Sequence, residues 1–299
     1  MIPDRMEEHA ALVALLQGNP DGLSWPEITA ELIEVGSAAK VWDRHAPPSA
    51  LIDLPGDISP ASAASDIGAW DAAGYRLVSI LDEDYPVRLR GVHQAPPAIF
   101  TLGALVADDP AVSVVGSREA SPAGLEMAAE IARALTARKM TVISGLARGI
   151  DTSAHRAALD AGGRTVAVIA TGLGGTYPAE NRGLQREIAD RGLVLSQFWP
   201  DAPPRKHTFL MRNATMSGYG LATVVVEAGE TSGARAQARM AVEHGRQVIL
   251  TDQVVARNQW AQDLVGRPGV HVAGSVPAVM DIVEQVVAMW DELRRLVTP

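Results

Sequence analysis

The chain has 299 residues, of which 47% are apolar and 20% charged, the balance of a globular protein with a large core and length to spare for a smaller appendage. It has no cysteine, which excludes disulfides, thiol nucleophiles and thiolate metal sites. The net charge of −9 is uneven: residues 1–110 carry 6 basic and 17 acidic side chains, residues 111–299 carry 20 and 18, so the acidity belongs to the front and the remainder is free to hold a local basic groove.

The start, Met1-Ile2-Pro3-Asp4-Arg5-Met6, lacks a basic-then-apolar leader pattern, and no run approaches eighteen apolar residues. A cytoplasmic protein without a membrane span is expected. Residues 8 to about 45 read as short helices, with Ser24 ahead of Trp25-Pro26 as a helix-start signal. Residues 46–66 are rich in Pro, Ser, Ala and Asp and read as a linker. The expected division is therefore a small helical module with its linker over 1–66 and a larger domain over 67–299, its core motifs at 112–250.

From 112 onward strand-like and helix-like segments alternate. Strands are expected at 112–115, 141–143, 165–169, 193–196, 222–226, 247–250 and 270–272, and helices at about 122–137, 151–161, 180–191, 231–244 and 276–296. Regular alternation with short connections predicts an α/β, Rossmann-like, mostly parallel sheet with helices on both faces. Ligands of such sheets bind beyond the carboxyl ends of the strands.

Four of those ends carry unusual loops. Val112-Ser113-Val114-Val115 runs into Gly116-Ser117-Arg118, and Thr141-Val142-Ile143 into Ser144-Gly145-Leu146-Ala147-Arg148-Gly149-Ile150-Asp151. A helix start offers unpaired N–H groups to an anion, glycine lets backbone approach closely, and arginine grips phosphate with a planar fork. Asp151 reads as a helix cap, with Thr152 and Ser153 competing, and His155 as its supporting partner. Thr171-Gly172-Leu173-Gly174-Gly175-Thr176-Tyr177-Pro178, followed by Glu180-Asn181, is a third loop; Glu227-Ala228-Gly229-Glu230-Thr231-Ser232-Gly233 is a fourth. Arg205-Lys206-His207 leads into an apolar helix bearing Arg212-Asn213. The expected phosphate-binding set is Gly116, Ser117, Arg118, Ser144, Gly145, Arg148, Lys206, Arg212, Asn213, Thr231, Ser232 and Gly233, supported by Asp151, His155, Tyr177, Asn181 and Glu227.

In order, these motifs resemble the DNA-processing protein A family, also called Smf, and Tyr85-Pro86, Leu89, Pro96-Pro97, Phe100 and Gly103 are similar to that family's lead-in; the likeness covers roughly 75–250. It implies a non-enzymatic protein that binds and protects single-stranded DNA, self-associates as a homodimer and helps load RecA recombinase in recombination or transformation, without a metal or hydride cofactor. It also implies that Ser117, Arg118, Gly145, Arg148, Lys206 and Arg212 form the DNA pocket. The low aromatic content favours phosphate grip over an extended stacking platform. Against that resemblance the chain differs at Gly174, at Gln197-Phe198-Trp199-Pro200, in the stretch Gly245 through Gln253 and in Arg257 through Leu264.

A second reading is a nucleotide sensor or phosphoribohydrolase-like protein of the wider superfamily. There a glutamate follows a glycine-rich loop; here the corresponding residue is Gln237, which removes the acid–base group while leaving nucleotide binding. A NAD-dependent oxidoreductase fails because neither glycine turn fits G-x-G-x-x-G with a later ribose-binding acid.

Overall fold

The computed structural model describes residues 5–19, 21–45 and 58–297. Helices α1 (Arg5–Gly18), α2 (Trp25–Val35), α3 (Ala38–His45) and α4 (Pro60–Ala72) come first. The expected start of α2 is realised, since the Glu27 carboxylate accepts the Ser24 N–H at 2.8 Å. Helix α1 buries Leu12, Val13 and Leu15 because α3, α4 and the sheet surround it. The linker expected over 46–66 is corrected in part: residues 60–66 are the first half of α4, and the Ser-Pro composition there marks Ser59 and Pro60 at a helix start. The boundary expected at residue 66 thus falls inside a helix. Residues 46–57 lie outside the described part of the chain.

Next come β1 (Arg76–Ser79), α5 (Val87–Arg90), β2 (Ala98–Gly103), β3 (Ala111–Val115), α6 (Pro122–Ala137), β4 (Thr141–Ser144), α7 (Ile150–Asp160) and β5 (Thr165–Val168). A 3-10 turn at Ala179–Asn181 leads into α8 (Arg182–Arg191), then β6 (Leu193–Ser196), α9 (Lys206–Tyr219), β7 (Ala222–Val225), α10 (Gly233–Glu243) and β8 (Gln247–Thr251). The chain closes with α11 (Asp252–Arg257), α12 (Gln259–Gln262), β9 (Val270–Ala273) and α13 (Val276–Val297). Among the described residues no helix is long and apolar enough to cross a membrane.

The strands form one sheet in the order β1-β2-β6-β5-β4-β3-β7-β8-β9. The seven strands from β6 to β9 are mutually parallel, as the alternating pattern predicts, while β2 pairs antiparallel with both β6 and β1. The strand succession runs outward from β3 in one direction and from β7 in the other. The carboxyl ends of β3 and β7 therefore mark the switch point where such sheets open a crevice.

Period-two alternation divides the core. Val112 and Val114 of β3 and Ile249 of β8 join Ile131, Leu135 and Val283 of α6 and α13. Val115, Ile143, Val225, Val248 and Leu250 belong to the other cluster, which continues through Met216 and Ala238 to the N-terminal helices. Trp70 stacks on Trp199 at 5.7 Å and meets Phe100 edge-on at 5.1 Å, which clamps α4 to the sheet. Behind the sheet, buried Arg88 donates to Tyr219 O and Asp108, while Asp109 accepts from the Tyr219 hydroxyl at 3.0 Å and from Arg164 at 2.9 Å. Burial and the neighbouring Asp109 push the Tyr219 hydroxyl far up, so it stays a neutral donor.

Candidate nucleic-acid interface

At the switch point the loops after β3 and β7 are stitched together. The Ser117 N–H donates to Glu227 O at 2.6 Å, and the Ile150 N–H to Ser117 O at 3.2 Å. Only glycine fits at 116, because a Cβ there would lie 2.6 Å from both Glu227 O and Ile150 Cγ1. The Glu227 carboxylate turns to the start of α6, accepting the Ser121 N–H at 3.0 Å and the Ser121 hydroxyl at 2.5 Å. Ser121 Oγ in turn accepts the Gly124 N–H at 3.1 Å. The anion-binding helix start expected after Gly116-Ser117-Arg118 is thus filled by the chain's own carboxylate.

The second junction is also held by a carboxylate of the chain, but not as the helix cap expected of Asp151: Gly149 is the cap of α7, and Asp151, inside the first turn, reaches back to the loop. Asp151 Oδ2 accepts the Gly145 N–H at 3.0 Å and the Ala147 N–H at 3.3 Å, and the Ser144 hydroxyl donates to Val114 O. Burial raises the Asp151 carboxyl above its ordinary range, against the Arg212 charge and these hydrogen bonds, which pull it down. Arg212 is itself buried. Its Nη1 donates to Gly145 O and Val168 O at 2.8 Å each, and its Nε to Asn213 Oδ1 at 3.1 Å. A Cβ on Gly145 would collide with that guanidinium, which explains the glycine. His155, expected as the partner of Asp151, instead shares a hydrogen bond with Thr165 Oγ1 at 2.7 Å, and burial next to Arg212 lowers it to about 3, so it is neutral at ordinary pH.

Above this floor lies a cavity of about 440 Å³. Ser117, Arg118 and Glu119 line one side, Thr231, Ser232, Gly233 and Gln237 the other, and Phe209, Arg212, Asn213 and Asp151 the base. Exposed Arg118 places its guanidinium 5.4 Å from the Phe209 ring centre, and half-exposed Tyr177 meets Phe209 edge-on at 5.5 Å. A long cation thus lies over one face of Phe209, and Tyr177, just outside the lining, adds a half-exposed ring beside it, an arrangement suited to phosphate contact and base stacking together. From behind, buried Asn258 Nδ2 donates to Ala228 O at 2.9 Å, so the segment that follows β8 holds the fourth loop in place.

Three of the expected phosphate-binding residues take other places. Arg212 directs three hydrogen bonds inward, so it builds the cavity base instead of reaching outward. Arg148 is exposed and held bidentately by Glu180 at 2.6 Å, off the cavity lining, because the residues of its turn point it toward the third loop. That pairing lowers the Glu180 carboxyl below its usual range. Lys206 opens α9 as an exposed side chain away from the lining. Asn181 ties the third loop to the second by donating to Leu146 O and Thr152 Oγ1, both at 2.9 Å. Phe209 was missing from the expected set although it sits three residues before Arg212, one turn along the same helix face.

A model of the family described as DNA recombination-mediator protein A matches residues 76–281. The chain belongs to this family. Members similar to it include DNA processing protein DprA of Streptococcus pneumoniae, 42% identical over 172 residues, covering 57% of this chain and 61% of that protein. Protein Smf of Escherichia coli is 37% identical over 190 residues, covering 63% and 51%. The chain thus spans about half to three fifths of the length of these relatives. The X-ray structure of DprA from Streptococcus pneumoniae superposes with a TM-score of 0.68 at 29% identity over 93% of each chain. DNA processing protein A from Helicobacter pylori, solved for its single-stranded DNA binding mode, shares the fold with a TM-score of 0.62 at 22% identity, over 72% of this chain and 96% of that one. The family match begins at Arg76, the first residue of β1, so the antiparallel strands belong with the parallel sheet.

Proposed function

We propose that this recombination-mediator family member binds single-stranded DNA at the β3–β7 switch point and acts as a binding protein, not an enzyme. The observation that carries the reading is the mouth of the cavity, where Arg118 lies over Phe209 with Tyr177 beside it. One strand can lay its phosphates along Arg118 and the basic start of α9 while an unpaired base meets an aromatic face. A duplex keeps its bases stacked inside and offers nothing to those rings. The likeness to a protein solved for its single-stranded DNA binding mode supports the same reading. In this reading the protein works in the cytoplasm, as a homodimer, and hands its strand to a RecA-type recombinase.

Gel shifts with single-stranded and duplex DNA across a salt series test it. Single strands are expected to bind in preference to duplex, with affinity falling steeply as salt rises, and Arg118→Ala is expected to weaken binding about tenfold and flatten the salt slope by about 0.7. Preference for duplex, or wild-type affinity in Arg118→Ala, would overturn the reading. A second reading, a sensor of small nucleotides, is favoured by one observation: buried Gln237 lines the cavity where an acid–base carboxylate would make the site hydrolytic.

A further inference from the structure

The third loop, whose Tyr177 stands beside the cavity mouth, also borders a cleft of about 930 Å³ where the N-terminal helices meet the sheet. The end of α1 and the middle of α4 contribute to it, with the loops after β5 and β6. Trp70, Tyr75 and Trp199 line it together with Pro200, Pro203 and Pro204. Trp70 and Trp199 stack on each other at 5.7 Å, and Phe100 meets them edge-on at 5.1 and 5.7 Å, so these half-exposed rings are set in place without a ligand. A Cβ on Gly174 would come within 3.7 Å of the Tyr75 hydroxyl, so bare backbone lies beside that group. The charges on the lining are of one sign. Asp66 and Asp201 are both exposed, and among the described residues no Lys, Arg or His lines the cleft. Gln17 Nε2 donates to Asp66 Oδ2 at 3.0 Å and leaves its charge uncompensated, and Asp201 has no ion-pair or hydrogen-bond partner among the described residues. The 17 acidic against 6 basic side chains of residues 1–110 deepen the same field.

Aromatic faces and uncompensated carboxylates attract an organic cation and repel the phosphates of a nucleic acid. The cleft is larger than one cationic side chain or a linear polyamine fills, and its proline-rich wall and flat rings suit an extended polypeptide that lays side chains against them. We propose that this cleft docks an extended basic segment of a partner protein, with an arginine or lysine stem lying along Trp70 and Trp199 and its charge directed toward Asp66 and Asp201. Arginine is favoured over lysine, because its planar guanidinium stacks on a ring while its edge pairs with a carboxylate. The position matters as much as the chemistry. Pro204 is followed at once by Arg205 and Lys206 at the start of α9, and Thr176 by Tyr177, so the docked segment would sit beside the groups offered to a nucleic acid, with the sign of charge reversed between the two places. Docking here does not depend on single-stranded DNA being the ligand of the β3–β7 cavity.

Fluorescence anisotropy of a labelled, end-blocked peptide of three Arg-Pro repeats, titrated with the full chain without DNA at about 0.15 M salt, tests the docking. Saturable binding is expected with a Kd on the order of 100 µM, about tenfold tighter than for peptides of three Ala-Pro or three Glu-Pro repeats. Asp201→Asn is expected to weaken it about threefold, and Asp66→Asn combined with Asp201→Asn about tenfold, since an exposed charge contact is worth a factor of a few. Both carboxylates are exposed, so melting temperatures within about 2 °C of the wild type are expected and the loss belongs to the contact. Glu130→Gln, on an exposed position of α6 in the other core cluster, is expected to leave binding unchanged. Unlabelled spermidine is expected to displace the peptide only at about tenfold higher concentration than the unlabelled peptide itself. No saturation below about 1 mM, equal affinity for the Ala-Pro peptide, or wild-type binding in the double variant would overturn the docking site. An equal loss in Glu130→Gln would overturn it by showing a response to net charge alone. Spermidine displacing the peptide at a concentration as low as the unlabelled peptide's would overturn the protein segment as occupant, leaving a site for small cations.

Discussion

The starts of α6 and α7 and the start of α10 follow the same recipe, a buried parallel strand, a small-residue loop and a helix, yet they behave differently. At the first, Glu227 accepts the amide and hydroxyl of the cap residue Ser121, at the second Asp151 accepts the loop amides of Gly145 and Ala147, and the glycines at 116, 124 and 145 exist to let neighbouring protein groups in. At α10 the glycines border open space and, among the described residues, it is the neutral Ser232 hydroxyl that accepts a first-turn amide. A glycine-rich strand-to-helix turn is therefore a statement about close approach, and whether protein or ligand makes the approach depends on which carboxylates lie within reach.

The contrast can be broken from the closed side first. Arg212→Met removes the donors to Gly145 O and Val168 O and leaves buried Asp151 uncompensated; urea unfolding is expected to show a loss of about 3–5 kcal/mol. A loss under 1 kcal/mol would mean Arg212 is available to ligand after all. The pH dependence of the same floor gives the next effect. His155 stays neutral down to about 3, whereas in the unfolded chain it takes a proton near 6.5, so stability falls as pH drops below that value, by up to about 1.4 kcal/mol per unit. His244, lowered to about 4 by burial, His93 and Arg246, adds in the same direction, and His45, raised by Asp21 and Glu31, opposes it. Comparing unfolding midpoints of the wild type and His155→Gln between pH 7 and 5 isolates the His155 share, and parallel curves would refute it.

Glu227→Gln keeps an acceptor at the start of α6 but removes its charge, and thermal unfolding is expected to register about 1 kcal/mol. Smallest is the effect of Arg148→Ala, whose exposed pair with Glu180 is expected to change stability by less than about 0.5 kcal/mol. Its effect on single-stranded DNA affinity is expected to stay well below that of Arg118→Ala in the same gel shifts. Equal effects would place Arg148 at the DNA after all.

The parallel sheet was legible because its strands from β3 to β8 are almost wholly buried and so read as short runs rich in Val, Ile and Leu between turn signals. Strands β1 and β2 were not, since Arg76-Leu77-Val78-Ser79 and Ala98-Ile99-Phe100-Thr101 sit among prolines and acids and show their pairing only once β6 is in place. In the site, Gly116, Ser117, Arg118, Asn213, Thr231, Ser232 and Gly233 do converge on one cavity. The different placements of Arg118, Arg148 and Arg212 could not be read from residue type, because an arginine satisfied by carbonyls, one held by a glutamate and one lying over a ring are spelled alike. Gln237 stands out along the chain only where a carboxylate is expected; its burial is a property of packing and has no signature in the sequence.

The reversal of β2 has a consequence for how the molecule tolerates its neighbours in solution. Without it, β6 would be the sheet's edge, and Leu193-Val194-Leu195-Ser196, wholly buried as it stands, would present a flat apolar strand with unpaired amides and carbonyls. The lead-in covers that template and substitutes β1, only four residues long and bearing half-exposed Arg76 on its outer end. The acidic front of the chain thereby acts as a guard against edge-to-edge aggregation, which ties the solubility of the parallel sheet to a segment that lies far from the cavity.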